Sequence, residues 1–131
     1  MEIIKKQFKY RGQTIEDLKK LDVREFAKLV RSRERRSILR NFRAIEEFVN
    51  RARKKQAQGK MIKTHSRDIV VVPEMIGLKV GVHKGNAFVN IIITEEMLGH
   101  RLGEFAVTRS KIKHSKKGVG ATKGTKHKSK K

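Results

Sequence analysis

Cysteine and tryptophan are absent from the 131 residues, and proline and tyrosine occur once each. Without cysteine neither a disulfide nor a thiolate metal site can form, and thiol usage says nothing about redox compartment. No apolar run approaches the roughly 20 residues needed to span a bilayer, so no membrane partner is expected. The first residues, MEIIKKQFKYRG, contain no apolar stretch of the kind that opens a secreted chain, and a soluble, cytoplasmic protein is the expectation. Aromatic residues make up only 5% of the chain, and acidic residues stop altogether after Glu104. What is abundant is cation: 34 lysines and arginines stand against 13 aspartates and glutamates, a formal charge of +21. Such self-repulsion opposes compaction, which points to a chain that works beside a polyanion.

The charge is unevenly placed. Residues 1–60 carry 19 basic and 8 acidic side chains, residues 61–104 carry 5 of each, and residues 105–131 carry 10 basic and none acidic. A neutral middle thus lies between two cationic flanks. An enzyme steering an acidic metabolite would gather its cations around one cleft, whereas this layout suits a small fold pinned to a large anion by two arms. The expected organisation is one domain's worth of chain in three parts: a helical basic extension over 1–60, a neutral α+β core over 61–109, and a flexible basic tail over 110–131.

Along the chain, residues 1–13 give a short alternating piece with Phe8 and Tyr10, either a strand or an extended lead-in. Thr14 can cap a brief helix through IEDLKKL, and Asp22 followed by Glu25 signals another helix start, with Val23, Phe26, Ala27 and Val30 at helical spacing. From Glu34 to Lys55, Ile38, Phe42, Ile45, Val49 and Ala52 fall on one stripe of a long helix. Arg33, Arg36, Arg40 and Arg43 keep the same rhythm about half a turn away. That face is either an ordinary solvated surface or a ladder of guanidiniums, whose forked geometry matches phosphate as lysine's point charge does not. RKKQAQGK follows as a polar linker closing at Gly59. Ile69–Val72 predicts a short strand ended by Pro73. Leu78, Val80 and Val82 alternate with Lys79, Gly81 and His83; Lys84, Gly85 and Asn86 supply a turn, and Phe88–Ile93 returns as a strand apolar on both faces. A small sheet of about three strands packed with helices follows, an α+β fold.

Beyond Phe105 there are no aromatics, and lysine alternates with glycine, serine and threonine. Such a tail cannot bury enough apolar surface to order itself, so it is expected to be disordered when free. Lacking phenylalanine, tyrosine and tryptophan to stack on bases, it is expected to meet RNA through phosphates, with Lys111, Lys113, Lys116 and Lys117 as candidates.

Sites of chemistry are thin. His83 and His100 lie in different elements, His65 precedes a strand, and His114 and His127 sit in the tail, with no pair at helical ligand spacing, which argues against a metal. His100 and Glu104 are four apart, but the intervening Gly103 argues against a shared helical face, and no nucleophile with a base accompanies them. GVGATKGTK imitates a phosphate loop without its spacing and without a leading strand. No catalytic residue, cofactor or small-molecule substrate is therefore expected. Three classes remain: a structural RNA-binding protein, a DNA-compacting basic protein and an enzyme on nucleic acid. Compaction needs no neutral sheet core, sequence reading on DNA would want a helix-turn-helix or zinc pattern, and a nuclease would want clustered carboxylates beyond Glu95, Glu96 and Glu104.

The stretch TEEMLGHRLGEFAVTR, Thr94–Arg109, organises the rest. Gly99 and Gly103 bracket His100, Arg101 and Leu102, so a helix begun at Thr94 cannot run on, and the tight backbone there suits a phosphate or a plain helix stop. GHRLGEFAVTR resembles the signature G-H-K-L-G-E-F-A-P-T-R of the universal small-subunit ribosomal protein nineteen of the S series, with Val107 in place of the proline. The likeness extends through THSR at 64–67, PEMIG at 73–77 and the turn at 82–85, covering about Ile62 to His114. FKYRG and the RERR helix are similar to the extension of archaeal and eukaryotic members, and GVGAT to their carboxy-terminal G-x-G-A-T. The resemblance implies a protein of the head of the small ribosomal subunit, bound to small-subunit ribosomal RNA beside small-subunit ribosomal protein thirteen, with a tail reaching toward transfer RNA near the decoding region. It further implies RNA contacts at Arg67, His83, Lys84, Gly85, His100, Arg101, Gly103, Thr108, Arg109 and His114. The family's turn is normally H-N-G-K, whereas this chain reads His83, Lys84, Gly85, Asn86, which moves the cation by two positions.

Overall fold

The structure is a computed structural model and describes residues 7–111, 123–125 and 127. Four helices come first. α1 (Ile15–Lys20) starts where the Thr14 hydroxyl accepts the Asp17 amide, and α2 (Val23–Leu29) starts at a capping box in which Glu25 accepts the Asp22 amide at 3.2 Å while Asp22 accepts that of Val23 at 2.8 Å. Both starts are legible in the sequence, because a short oxygen side chain before an apolar-periodic run satisfies amides that the helix leaves open.

The single helix expected over Glu34–Lys55 is two, α3 (Ser32–Arg40) and α4 (Phe42–Ala57), broken at Asn41, whose φ of −105° and ψ of 23° leave the helical region. The apolar stripe crosses the break unaltered, since Ile38 on one side and Ile45, Val49 and Ala52 on the other are all buried. Periodicity alone cannot register a bend when both pieces face the same interior. α3 packs on α2 and α4, and α4 reaches the sheet at β1. α4 also runs further than the polar stretch RKKQAQGK suggests, ending in a left-handed Gly59 with the Lys60 amide donating to the Lys55 carbonyl at 2.9 Å.

The sheet has three strands in the order β1 (Ile62–Thr64), β2 (Lys79–His83) and β3 (Phe88–Ile92), with β1 parallel to β2 and β2 antiparallel to β3. The β2–β3 hairpin is the one expected. The third strand is not: Ile69–Val72, expected as a strand, forms only an isolated antiparallel bridge, Val70 to Arg101, and β1 takes its place. All four residues of Ile69–Val72 are buried, and their backbone pairs instead with the segment after the sheet, through Gly99 to Val71, Val71 to His100 and Leu102 to Ile69. An apolar run reports burial before it reports strand pairing, whereas IKT is too short to show a period.

Register sets the faces. Ile62 and Thr64 stand opposite Val80 and Val82, which stand opposite Ile91 and Val89; this face turns to the helices. Lys63, Lys79, Gly81, His83, Phe88, Asn90 and Ile92 alternate onto the other face. One hydrophobic cluster joins Leu18, Phe26, Ile38 and Ile45 from the helices to Val80, Val82, Ile93 and Leu102 from the sheet and the turns after it. Tyr10, held in a two-residue turn with left-handed Arg11 and Gly12, packs its ring 5.9 Å from that of Phe26.

Candidate nucleic-acid interface

The arginines of RSRERRSILR sort into two kinds. Arg35 turns back toward α2 and donates to the carbonyls of Ala27 at 3.1 Å and Lys28 at 2.9 Å, closing the open end of that helix. Arg33, Arg36 and Arg40 face outward and line a cleft of about 280 Å³, whose opposite wall is Arg101 with Asp68. Arg101 reaches this place because its backbone bridges Val70, so two parts of the chain far apart in sequence deliver four guanidiniums to one opening. Among the described residues none of the four takes part in an ion pair. Arg43, expected as the next rung, lies beyond the break at Asn41; it is exposed on α4 and does not line the cleft.

The Gly99–Gly103 segment folds as tightly as its glycines require. Gly99 has a φ of +76°, and a Cβ there would stand 2.8 Å from the Tyr10 hydroxyl. Two short 3₁₀ turns, Glu95–Met97 and Leu102–Phe105, flank the bend. Contrary to expectation, His100 and Glu104 do meet, with Nδ1 2.9 Å from the carboxylate, because the second turn carries Glu104 back over the bend. His100 and Glu104 are both about half exposed in this pair.

Arg67 is half-buried. Its guanidinium donates to the carbonyls of His83 at 2.6 Å, Gly103 at 2.8 Å and Ala106 at 2.7 Å, which commits three of its five N–H groups to the protein itself. Gly103 serves the same clamp, since a Cβ on it would stand 3.0 Å from both the Cβ and the carbonyl oxygen of Arg67. Thr108, Arg109 and Lys111 are exposed beyond the clamp. Lys113, His114, Lys116 and Lys117, and with them the expected disorder of most of the tail, lie outside the described residues.

At the hairpin the Gly85 amide donates to His83 Nδ1 at 3.2 Å, and Lys84 is half-buried beside it. The sequence places His65 and His83 in separate elements, yet their ring centroids lie 4.4 Å apart, with Phe88 at 5.1 and 4.9 Å from them. Parallel pairing of β1 and β2 brings them together, and because β1 itself has no sequence signal, neither does their meeting. Lys63 sits 5.3 Å over the Phe88 ring.

Comparison with known proteins gives a consistent result. The family model described as "Ribosomal protein S19" matches residues 31–114. The match begins at Arg31, ahead of α3, so both arginine-bearing helices fall inside it. The small ribosomal subunit protein uS19 of Saccharolobus solfataricus is 44% identical over 124 residues, covering 92% of this chain and 89% of that protein.

Proposed function

The chain belongs to the family of ribosomal protein S19, structural and non-enzymatic components of the small ribosomal subunit that bind its RNA, and we propose that its hold on that RNA centres on the α3 arginine cleft. The observation that carries this is the convergence of Arg33, Arg36 and Arg40 with Arg101 around one opening in which, among the described residues, Asp68 is the only acidic group. Four cations held together without ion-pair partners repel one another, an arrangement that becomes favourable when a phosphate enters. Spacing on successive helical turns also suits an extended backbone of regularly placed phosphates better than a single small anion.

The test replaces Arg33, Arg36 and Arg40 together by glutamine and titrates small-subunit ribosomal RNA at several salt concentrations. Affinity is expected to fall at least roughly tenfold, and the plot of log K against log salt to flatten by about 0.7 to 0.9 for each phosphate that the variant no longer neutralises. The far-UV helical signal should be unchanged, since all three side chains are exposed. An unchanged slope would overturn the proposal.

Family membership supports finer placements that stand as part of the same proposal: cytoplasmic ribosomes, the head of the small subunit, contact with small-subunit ribosomal protein thirteen, and a tail directed toward transfer RNA near the decoding region. The charge after Glu104, ten basic residues and no acidic one, fits an arm along phosphates. Crosslinks from Arg109 and Lys111 in assembled subunits, mapped to nucleotide, test this; crosslinks confined to protein far from the decoding region would remove the tail from that place.

A further inference from the structure

The face of the sheet turned away from the helices carries Lys63 and Lys79 with His83, Phe88 and Ile92, and no acidic residue. Ile92 is 62% exposed, Phe88 and His83 are only half-buried, and His65 just after β1 is exposed. A strand read as apolar on both faces thus leaves one of them open. At one end of this face, the rings of His65, His83 and Phe88 form a triangular cluster with every pair of centroids 4.4 to 5.1 Å apart; the two imidazoles are tilted 36° to one another and Phe88 stands edge-on to both. Beside the cluster runs a groove of about 260 Å³, lined by Arg51 and Lys55 of α4 as well as by Lys63 and His65.

Rings standing next to lysines and an arginine, with no carboxylate between them, match the two halves of an unpaired nucleotide. The exposed ring of His65, backed by that of His83, suits a base, and the flanking cations suit its phosphate. The scarcity of aromatics elsewhere sharpens the point, because the cationic tail offers no ring beyond its imidazoles. We propose that the His65–His83–Phe88 cluster is a stacking site for an unpaired base of ribosomal RNA, with the Arg51–Lys55–Lys63 groove holding the adjoining backbone. This rests on the RNA-binding function but concerns a different surface and a different part of the nucleotide from the arginine cleft. Phe88 supports the imidazoles from the side with Lys63 over its own ring, and His65, just after an edge strand, leaves its ring exposed to an incoming base.

The experiment compares the full chain's binding to a seven-nucleotide single-stranded RNA and to an abasic strand of equal length and charge. The RNA should bind roughly fivefold or more tightly than the abasic strand, and should move the ring protons of His65, His83 and Phe88 upfield in aromatic NMR spectra. His65→Ala should remove most of that advantage without changing abasic binding, and His65→Phe should keep it. Equal binding of the two strands, or an equal loss for both in His65→Ala, overturns the stacking site while leaving the phosphate cleft standing. If neither strand binds at low salt, the stacking site is likewise overturned, and the proposed arginine cleft is then judged by its own salt titration. In assembled subunits a photoreactive phenylalanine at position 92 should label RNA; labelling of protein alone would make this a protein-docking face and overturn the proposal.

Discussion

At the scale of single residues, Arg67 shows how a side chain implied as an RNA contact can have another job. Its three carbonyl partners belong to the β2 end and to the turn that begins at Leu102, and one guanidinium serves all three. Lysine offers a single ammonium in place of a planar fork, so Arg67→Lys should leave at least one partly buried carbonyl without a donor. The expected cost is about 2 kcal/mol, seen as a lower urea midpoint with an unchanged slope. A stable variant that binds RNA poorly would instead put this head group on the nucleic acid. Nothing in THSRDIVVV could have shown the clamp, because its acceptors are backbone atoms brought near by folding. Arg35 makes the same point, since its neighbours Arg33 and Arg36 look identical in sequence and differ only in the direction α3 turns them.

At the scale of elements, the local rules succeeded where the signal was local. Thr14, Asp22 and Glu25 mark helix starts by the chemistry of open amides, and the hairpin follows from alternation around a glycine turn. Asp22→Ala should therefore cost about 1 kcal/mol, measured as a drop in the denaturant midpoint, with the loss concentrated in amide exchange protection of α2. Equal exchange in both proteins would mean that packing on α3, not the cap, holds that end. Failures came where an element depends on a distant partner. β1 has three residues and exists because β2 lies beside it; Ile69–Val72 has the composition of a strand but is bridged only at Val70. The arginine ladder was half legible: its outward rhythm is in the sequence, whereas the break at Asn41 and the arrival of Arg101 are not.

At the scale of the whole molecule, the uneven charge is what the sequence states most plainly. Deleting residues 110–131 removes nine of the ten basic residues that follow Glu104 and none of the buried cluster. The truncated protein should unfold at the same denaturant concentration as the full chain and bind small-subunit RNA more weakly, with a flatter salt dependence. A shifted unfolding midpoint would mean that the tail packs on the fold, and an unchanged salt slope would mean that it touches no phosphates. The core itself draws on both the helical segment and the sheet, which is why the arginines of α3 can stand opposite one from the turn after β3. The Arg67 clamp adds a geometric consequence. Because one guanidinium fastens Ala106 to the end of β2, the anchor point from which the cationic arm departs is set by the orientation of the sheet. Were the open side of the sheet seated on nucleic acid as proposed, the same fastening would fix where residue 107 leaves the fold relative to that partner.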